Sequence, residues 1–597
     1  MVLGKKWSGL MLIMMIAVLL LSACTGDKAA EPPKDPPPAA ESTDKGSDQA
    51  EPDKTEPEKT EPGTSQDDAN SGYFPATDKS LNPALALGRK DTLIIGTTAP
   101  KGIFSPLFWS TVYDKYVVEV VFDSFLVVQS DGTYAEHLAD KIDVSDDGLK
   151  YTFHLKPGIK YSDGTPVTVK DYLFALKVLH DPTYDGESDI LSLKIKGGQE
   201  YHDGKSPDIS GVKIIDDNTV EVEVLEVNAQ TKNELGTVEF LPEAYYGKGY
   251  KLGQLDSVKA LNDKPIGSGQ YIVTKYTPGQ EVVLEANPNY FKGAPKIKNV
   301  ILKATTDDTR IAMLQSGEID VDEVTVNEDN VEELTGLGFL DVNIFPTNGY
   351  GYVAFNHNDP KYQDVKVRQA LTIGLNRKEV VEGAFGKYAN VINIPESNVG
   401  WAYTNEGIEP YEFDIDKAKK LLDEAGWVEG SDGIREKDGQ KFKINFSATA
   451  DSSVVEALLP IMTKNYKELG IDFNAETLDF NAISEKRKTG DFEMFFAAWG
   501  LTPDPDSTVY ITNGAQNNIG YSNKTVDELM LKGKKTLDLE GRKEIYKQVF
   551  QELNRDLPVI FMYQRRDMWG INARVTGLDI TPYKHFTFSL YQAEIVQ

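Results

Sequence analysis

The chain has 597 residues, with 63 Lys or Arg against 93 Asp or Glu, so its formal net charge is −30. One Cys and six His exclude an internal disulfide and any metal site built from several cysteines, and they leave little material for a histidine cluster. The negative charge argues against a nucleic-acid partner, because nothing supplies the basic field that phosphates require. With 40% hydrophobic residues, the chain is long enough to form several domains or subdomains around a substantial core.

The first residues resemble a bacterial lipoprotein signal. Lys5 and Lys6 precede an apolar run over 10–21, which is followed by Ser22, Ala23 and Cys24. The run is too short for a membrane-spanning helix, which needs about 20 residues. The pattern predicts a secretory signal peptide over 1–23, with lipidation at Cys24 that anchors an extracytoplasmic protein to the cell membrane. The alternative, a buried structural Cys, is disfavoured because no folded segment surrounds it.

The next segment, 24–72, begins with the lipidated Cys and is rich in Pro, Glu, Asp, Lys, Ser and Thr. Its four-residue sequence Lys-Thr-Glu-Pro occurs at 54–57 and again at 59–62. So few apolar residues cannot offset the entropy lost on ordering. We therefore expect a disordered acidic linker that holds the folded body away from the membrane.

The remaining chain mixes patterns typical of strands and of helices. Strands are predicted at 91–96, 150–155 and 219–224, and a helix running into a strand is predicted over 117–128. One helix is predicted after Asp364 and a second after Asp414, the latter closed by Gly426. This mixture predicts an α/β or α+β protein.

The sequence lacks a recognisable catalytic or metal-binding motif. Segment 143–154 begins like a calcium loop, but His154 stands where a bidentate Glu is required. Gly267 and Gly269 precede a strand, so no helix N-terminus is available for phosphate, and we expect these glycines to permit close chain approach. No G-x-S-x-G, H-E-x-x-H or P-loop sequence occurs. We therefore predict no enzyme activity, no catalytic residue, no metal and no cofactor.

Several segments, in consistent order over roughly 90–590, together resemble one family. They are 137–158, 161–168, 265–271, 287–291, 315–320, 364–371, 414–426 and 520–527. In this combination the chain resembles the family 5 extracellular solute-binding proteins, which bind oligopeptides and dipeptides for ABC importers.

The resemblance implies an α/β fold, a two-lobed periplasmic-binding-protein-like clamshell of the class II type with an extra subdomain in the first lobe. The first lobe is expected over 85–345 and the second over 346–560, with 561–597 returning to the first lobe. Two chain crossings, near 345–349 and 559–561, would form a hinge that closes when ligand contacts both lobes.

The resemblance further implies a cleft that binds an extended peptide through main-chain hydrogen bonds. Similar proteins carry an Asp three residues after a Trp, which pairs with the peptide ammonium. Here Trp499 is followed at that position by Thr502, and Asp504 and Asp506 are the candidate substitutes for the Asp. Otherwise the ligand would be a longer peptide, a sugar or a metallophore.

Other residues are ligand-binding candidates because they lie near the expected cleft or hinge. They are Phe104, Phe108, Trp109, Tyr350, Tyr352, Asn517 and Asn518. For the first three, core packing is an equal alternative.

The expected partners are a peptide ligand, the transmembrane permease subunits of an ABC importer with their cytoplasmic ATPases, and the membrane through the lipid anchor. We expect a monomer that binds no nucleic acid. The alternatives are the same fold binding an oligosaccharide or metallophore, a peptide-pheromone sensor, and, least favoured, a secreted hydrolase.

Overall fold

The computed structural model describes residues 71–450, 452–505 and 508–596. The predicted signal peptide 1–23, the lipidation site Cys24, the linker as far as residue 70 and the ligand candidate Asp506 lie outside the described residues. Within the described ranges, no helix combines the length and apolar character needed to cross a membrane.

The described first part of the chain contains three groups of strands and mostly short helices. Its strands are β1 (Gly72–Phe74), β2 (Thr92–Thr97), β3 (Leu126–Val128), β4 (Tyr134–Glu136), β5 (Ala139–Val144), β6 (Lys150–Leu155), β7 (Val212–Asp216), β8 (Thr219–Glu223), β9 (Tyr271–Thr277), β10 (Glu281–Ala286), β11 (Asn299–Ala304), β12 (Val321–Val324) and β13 (Leu340–Pro346). Its helices are α1 (Ala84–Gly88), α2 (Val112–Val121), α3 (Val169–Leu179), α4 (Gly198–His202), α5 (Thr231–Gly236), α6 (Glu243–Tyr246), α7 (Asp256–Lys259), α8 (Asp307–Ser316) and α9 (Glu328–Gly336).

The second part contains longer helices, and it is followed by one long strand and a pair of short antiparallel strands. The strands are β14 (Gly349–Phe355), β15 (Ala389–Val391), β16 (Val428–Glu429), β17 (Arg435–Lys437), β18 (Gln440–Lys441), β19 (Lys443–Thr449), β20 (Asp472–Leu478), β21 (Met494–Gly500), β22 (Val559–Asn572), β23 (Val575–Thr576) and β24 (Glu594–Ile595). The helices are α10 (Val365–Ile373), α11 (Arg377–Phe385), α12 (Ile415–Glu424), α13 (Ser453–Glu468), α14 (Phe480–Thr489), α15 (Lys524–Lys535) and α16 (Leu539–Asp556).

Short 3₁₀ helices complete the described secondary structure. They cover Lys79–Leu81, Ile190–Leu193, Pro360–Tyr362, Gly386–Tyr388 and Phe586–Gln592.

Among the described residues there are three hydrophobic cores, of which the two larger ones organise these elements into two lobes and the third packs residues between Leu314 and Ile344 with Tyr388 and Met568. The first core joins residues between Leu93 and Val321 with residues between Trp569 and Ala593. The second core is formed by residues between Tyr350 and Tyr563. We call the parts that pack around them the first lobe and the second lobe. The mixed α/β, two-lobed fold class predicted above is confirmed.

One mixed sheet runs through both lobes in the order β20-β19-β21-β14-β22-β12-β2-β11-β10-β9. Strand β22 is the shared member: its first residues pair with β14, and its later residues pair with β12 and β13. The change of partner falls at Arg565–Asp567, a few residues beyond the boundary expected at 560/561. The chain therefore passes between the lobes in extended conformation, at the β13–β14 link and along β22.

A separate antiparallel sheet in the first lobe has the order β5-β6-β8-β7. Alternate residues of β6 and β8 are buried, as the period-two pattern predicts. The extra subdomain expected in the first lobe, whose bounds the sequence leaves open, is best matched by this sheet.

The predicted helix caps and glycine contacts are confirmed. Asp364 and Asp414 accept hydrogen bonds at the starts of α10 and α12. Gly426 ends α12 with a φ of +86°, a conformation that favours glycine. At Gly267, a Cβ atom would meet the Val121 carbonyl oxygen at 1.9 Å, so only glycine permits this approach beside α2.

Candidate functional site

The loop after β21 brings the second lobe against the crossing between β13 and β14. The Leu501 amide donates to the Asn348 carbonyl at 2.9 Å, and Asn348 Nδ2 donates to the Leu501 carbonyl at 2.9 Å. This reciprocal pair holds the start of the loop beside the crossing. Thr502 and Pro503 extend from it towards the first lobe.

A cavity of about 460 Å³ lies between these loop residues and the first lobe; we call it the main cavity. Its first-lobe lining includes residues of α2, the β3–β4 hairpin, the segment before Phe240 and the C-terminal segment 582–592, together with Asp123, His137 and Lys292. Its second-lobe lining comes from Leu501, Thr502 and Pro503, with Asn348 at the crossing. A ligand here would contact both lobes, which is the requirement for ligand-driven closure.

Two histidine–carboxylate pairs line the main cavity. His137 Nε2 lies 2.7 Å from Asp123 Oδ1, and His585 Nδ1 lies 3.1 Å from Glu119 Oε2. Burial alone would raise the pKa of Glu119, but the neighbouring His585 and Lys115 hold that pKa below its usual value. Each of these two carboxylates therefore has a histidine ring nitrogen as its neighbour in the cavity wall.

Glu239 differs from the paired carboxylates. It lines the main cavity and is partly buried, yet no other described residue pairs with or donates to its carboxylate. Burial raises its pKa to about 7, and only Lys115 among nearby cations opposes the rise. The sequence predictions missed Glu239, because nothing in 237–241 separates it from any other surface glutamate.

A smaller side cavity of about 210 Å³ adjoins the main cavity through Thr502, which lines both. Its first-lobe wall carries the acidic residues Glu187, Asp189 and Glu234, and its second-lobe wall includes Gln516. The interlobe cleft is therefore longer than the main cavity alone, and one of its walls is acidic.

Behind the cleft, a third space of about 20 Å³ is lined by aromatic side chains; we call it the tyrosine cavity. The hydroxyl groups of Tyr350 and Tyr510 form a hydrogen bond of 2.8 Å. Trp499, Tyr352 and Asn518 also line this cavity. This volume suits about one water molecule, so the tyrosine cavity supports the cleft wall and has no room for a ligand.

The second half of β21 presents a strand edge near the cleft. Strand β19 pairs with β21 only at Met494 and Phe495, whereas β14 pairs with β21 over its whole length. In the described part of the chain, the β19 side of Phe496–Gly500 therefore has no strand partner. An unpaired strand edge is where an extended peptide can add by main-chain hydrogen bonds.

The structure brings some predicted ligand residues to the cleft and places others elsewhere. Thr502 lines the main and side cavities, while Trp499, Tyr350, Tyr352 and Asn518 line the tyrosine cavity. Asn517 binds within its own loop, where Nδ2 donates to the carbonyls of Ile511 and Tyr521 at 2.8 and 2.7 Å.

The aromatic candidates after β2 lie in or against the first core. Phe104 and Phe108 are buried there and pack on Tyr276 and Tyr184 respectively. Trp109 is half-buried against the same core, with Lys115 Nζ 5.0 Å from its ring. The contacts of all three residues are those expected from core packing, which was the alternative to ligand binding.

The Asp504 side chain is paired with a residue of the second lobe. Its carboxylate forms an ion pair with Arg542 of α16, whose Nη1 lies 3.2 Å from Asp504 Oδ2. Thr502 donates its hydroxyl hydrogen to the Asp504 carbonyl at 2.5 Å. Asp504 thus shapes the loop that carries Thr502.

The family comparison matches this architecture. The model of the bacterial extracellular solute-binding proteins, family 5 middle region, matches residues 133–521, which is more than half of the chain. The chain belongs to this family. The resemblance seen in the sequence is therefore confirmed, and the family is one of solute-binding proteins.

Individual relatives of this family 5 protein extend over most of its length. Oligopeptide-binding protein AppA of Bacillus subtilis is 27% identical over 82% of this chain and 89% of its own. Heme-binding protein A of Haemophilus influenzae is 26% identical over 76% of this chain and 82% of its own.

A solved structure shows the same fold. The structure of AppA from Bacillus subtilis in complex with a nonapeptide has a TM-score of 0.76 and 25% sequence identity. It covers 85% of this chain and 99% of the AppA chain.

Proposed function

We propose that this protein is the extracytoplasmic, membrane-tethered substrate-binding component of an ABC importer that captures oligopeptides. The observation that carries the proposal is the unpaired edge of β21 beside an interlobe cleft. Main-chain bonds to that edge are independent of side-chain identity, so the cleft would accept many peptide sequences. The relatives AppA and the AppA–nonapeptide structure support this ligand class.

Closure of the two lobes would couple binding to delivery. We propose lobes over 85–345 with 561–597, and over 346–560, joined by the β13–β14 link and by β22. Ligand contacts from Thr502 on one side and the first lobe on the other favour the closed state. The closed monomer would then dock on the permease subunits, whose cytoplasmic ATPases drive uptake, and the ligand would leave with its bonds unchanged.

Mass spectrometry of ligand that copurifies with the protein, followed by calorimetry, tests the ligand class. Peptides of defined length should bind saturably and be recovered with unchanged mass. Haem, an oligosaccharide and a metallophore serve as competing ligands, since one relative is a heme-binding protein. Saturable binding of one of these, with no binding of any peptide, would overturn the peptide proposal.

Deletion of the gene separates transport from sensing. An importer component is required for peptide uptake, so growth on peptides as sole amino-acid source should fail. Unchanged uptake together with an altered developmental response would instead favour the pheromone-sensor alternative.

The membrane tether depends on Cys24 in the proposal. Cys24→Ser should release the protein from the membrane fraction and abolish incorporation of radiolabelled palmitate, because acyl chains supply the membrane affinity. Ser22→Ala leaves the thiol in place and serves as the control. Membrane retention of Cys24→Ser without palmitate would show that another segment anchors the chain.

A further inference from the structure

Among the charged groups that line the main cavity, Glu239 is distinguished by its lack of a partner. His137 and His585 are paired with Asp123 and Glu119. No other described residue forms an ion pair with Glu239 or donates a hydrogen bond to its carboxylate, although the side chain is partly buried. A carboxylate taken out of water without a counter-ion is costly, so the position requires an explanation.

No lysine that lines the main cavity forms an ion pair with Glu239, although the charge of Lys115 lowers the pKa of Glu239. Lys115 lies 3.8 Å from Glu119 and over the Trp109 ring. Lys584 is paired with Asp579 at 2.8 Å. Lys292 lies over the rings of Phe291 and Tyr591. The negative charge of Glu239 is therefore left for a group that enters the cavity.

Two further acceptors line the same cavity. Asn348 is 8% exposed, and its Oδ1 atom accepts no hydrogen bond from the residues that the structure describes. Its Nδ2 is already committed to the Leu501 carbonyl. The Thr502 hydroxyl donates to the Asp504 carbonyl, which leaves the lone pairs of its oxygen to accept.

The acceptors match one chemical group. A primary ammonium carries three N–H donors and no acceptor, and a carboxylate with two neutral oxygens offers it charge neutralisation and complete hydrogen bonding. We propose that Glu239 is the counter-ion for a primary ammonium of the ligand, with Asn348 Oδ1 and Thr502 Oγ1 as further acceptors. The inference rests on the proposed function and adds the ligand charge that the main cavity selects.

Protonation supports the assignment. Burial raises the pKa of Glu239 to about 7, so near neutral pH a fraction of the empty sites carries a proton. An incoming ammonium favours the ionised carboxylate and lowers that pKa. Ligand binding at pH 7 should therefore release a fraction of a proton.

Calorimetry of the full chain with three peptides tests the proposal. The probes are pentaalanine, N-acetyl-pentaalanine, and an N-acetyl peptide of the same length with one central Lys. Pentaalanine carries only an α-ammonium and the Lys peptide only a side-chain ammonium, so the comparison shows which of the two binds. Wild type should bind an ammonium-bearing peptide roughly 10- to 100-fold more tightly than the peptide that lacks one. Glu239→Gln should lose that preference, while Glu285→Gln, an exposed glutamate of β10, should keep it.

Proton release gives an independent readout. Calorimetric titrations at pH 7 in buffers of different ionisation enthalpy should show proton release on peptide binding for wild type and none for Glu239→Gln. The two histidine–carboxylate pairs are present in both proteins, so a difference in proton release is assigned to Glu239. If wild type binds peptides and Glu239→Gln retains both the ammonium preference and the proton release, the Glu239 inference is overturned alone. If wild type binds no peptide, the proposed function falls with it.

Discussion

Arg542 and Asp504 form an ion pair that fixes the loop between β21 and α15 to helix α16. Arg542 Nη1 lies 3.2 Å from Asp504 Oδ2, and the guanidinium lies 4.7 Å from the Trp401 ring centroid. The Arg542 side chain is 7% exposed and that of Asp504 is 20% exposed. The pair determines where Thr502 stands relative to the cleft.

Loss of one partner should destabilise the second lobe. Asp504→Asn leaves the Arg542 charge without its counter-ion, and we expect a loss of about 2–4 kcal/mol in the free energy of unfolding. Ligand affinity should fall as well, because the Thr502 loop loses its attachment. Urea unfolding and calorimetry measure the two effects. The double variant Asp504→Asn/Arg542→Met should regain part of the stability, and equal stability of the single variant and wild type would contradict the interpretation.

Trp499 should influence ligand binding through the cleft wall. Its side chain is half-buried and packs in the tyrosine cavity beside Tyr350 and Tyr510. Trp499→Ala removes a large aromatic surface at the exposed end of β21, and we expect peptide affinity to fall about 10-fold or more. Trp499→Phe should retain most of the affinity. Calorimetry with one tight-binding peptide measures the affinity of both variants. Unchanged affinity of the Ala variant would exclude Trp499 from the cleft wall.

Gln564 should stabilise the junction between the lobes. Its Nε2, which carries two hydrogens, lies 2.8 Å from the Thr347 carbonyl oxygen and from Ser397 Oγ, and 2.9 Å from Asn398 Oδ1, so these three acceptors share its two donors. Gln564→Leu keeps the volume and leaves these acceptors without their donor, which should cost about 1–3 kcal/mol of unfolding free energy. Gln548→Leu, at an exposed position of α16, is the matched control. Equal urea midpoints for the two variants would argue against this role.

Glu396 should make stability depend on pH. It is 4% exposed, and burial raises its pKa to about 8. Between its ordinary pKa and about 8, the folded state binds more protons than the unfolded state, so stability falls as pH rises, by at most about 1.4 kcal/mol per pH unit from this one group.

Glu396→Gln should remove this contribution and stabilise the protein above pH 7. Thermal unfolding at pH 5.5, 7.0 and 8.5 compares the two proteins, and Glu379→Gln, at an exposed position of α11, controls for loss of a carboxylate. Parallel pH curves for wild type and Glu396→Gln would contradict the prediction.

Local features of the sequence predicted local structure well. Period-two alternation located β6 and β8, and the capping residues Asp364 and Asp414 located the starts of α10 and α12. These signals depend on backbone hydrogen bonds and side-chain spacing within a few residues. The ordered series of turn-rich segments was equally informative, because it identified the family before any tertiary contact was known.

The candidate site was only partly predictable. Trp499 and Thr502 were found because they belong to the segment that corresponds to the family's ammonium-binding loop, whereas Glu239 has no sequence signal. Asp504 was a reasonable substitute for the absent acid, yet its partner Arg542 lies 38 residues away. Phe104 and Phe108 illustrate the same limit, since an aromatic residue after a strand looks identical in sequence whether it faces a ligand or a core.

The sequence by itself determined the excess of acidic residues, the two-lobed α/β class, the family and the predicted lipidation at Cys24, because each depends on composition or on short ordered motifs. Only the tertiary structure decided which of the acidic residues face the cleft with a partner and which face it without one. Charge pairing is set by distances between segments far apart in the chain, such as Glu119 with His585 and Asp504 with Arg542. Glu239 emerged by that comparison, as the main-cavity carboxylate that forms no ion pair with another described residue.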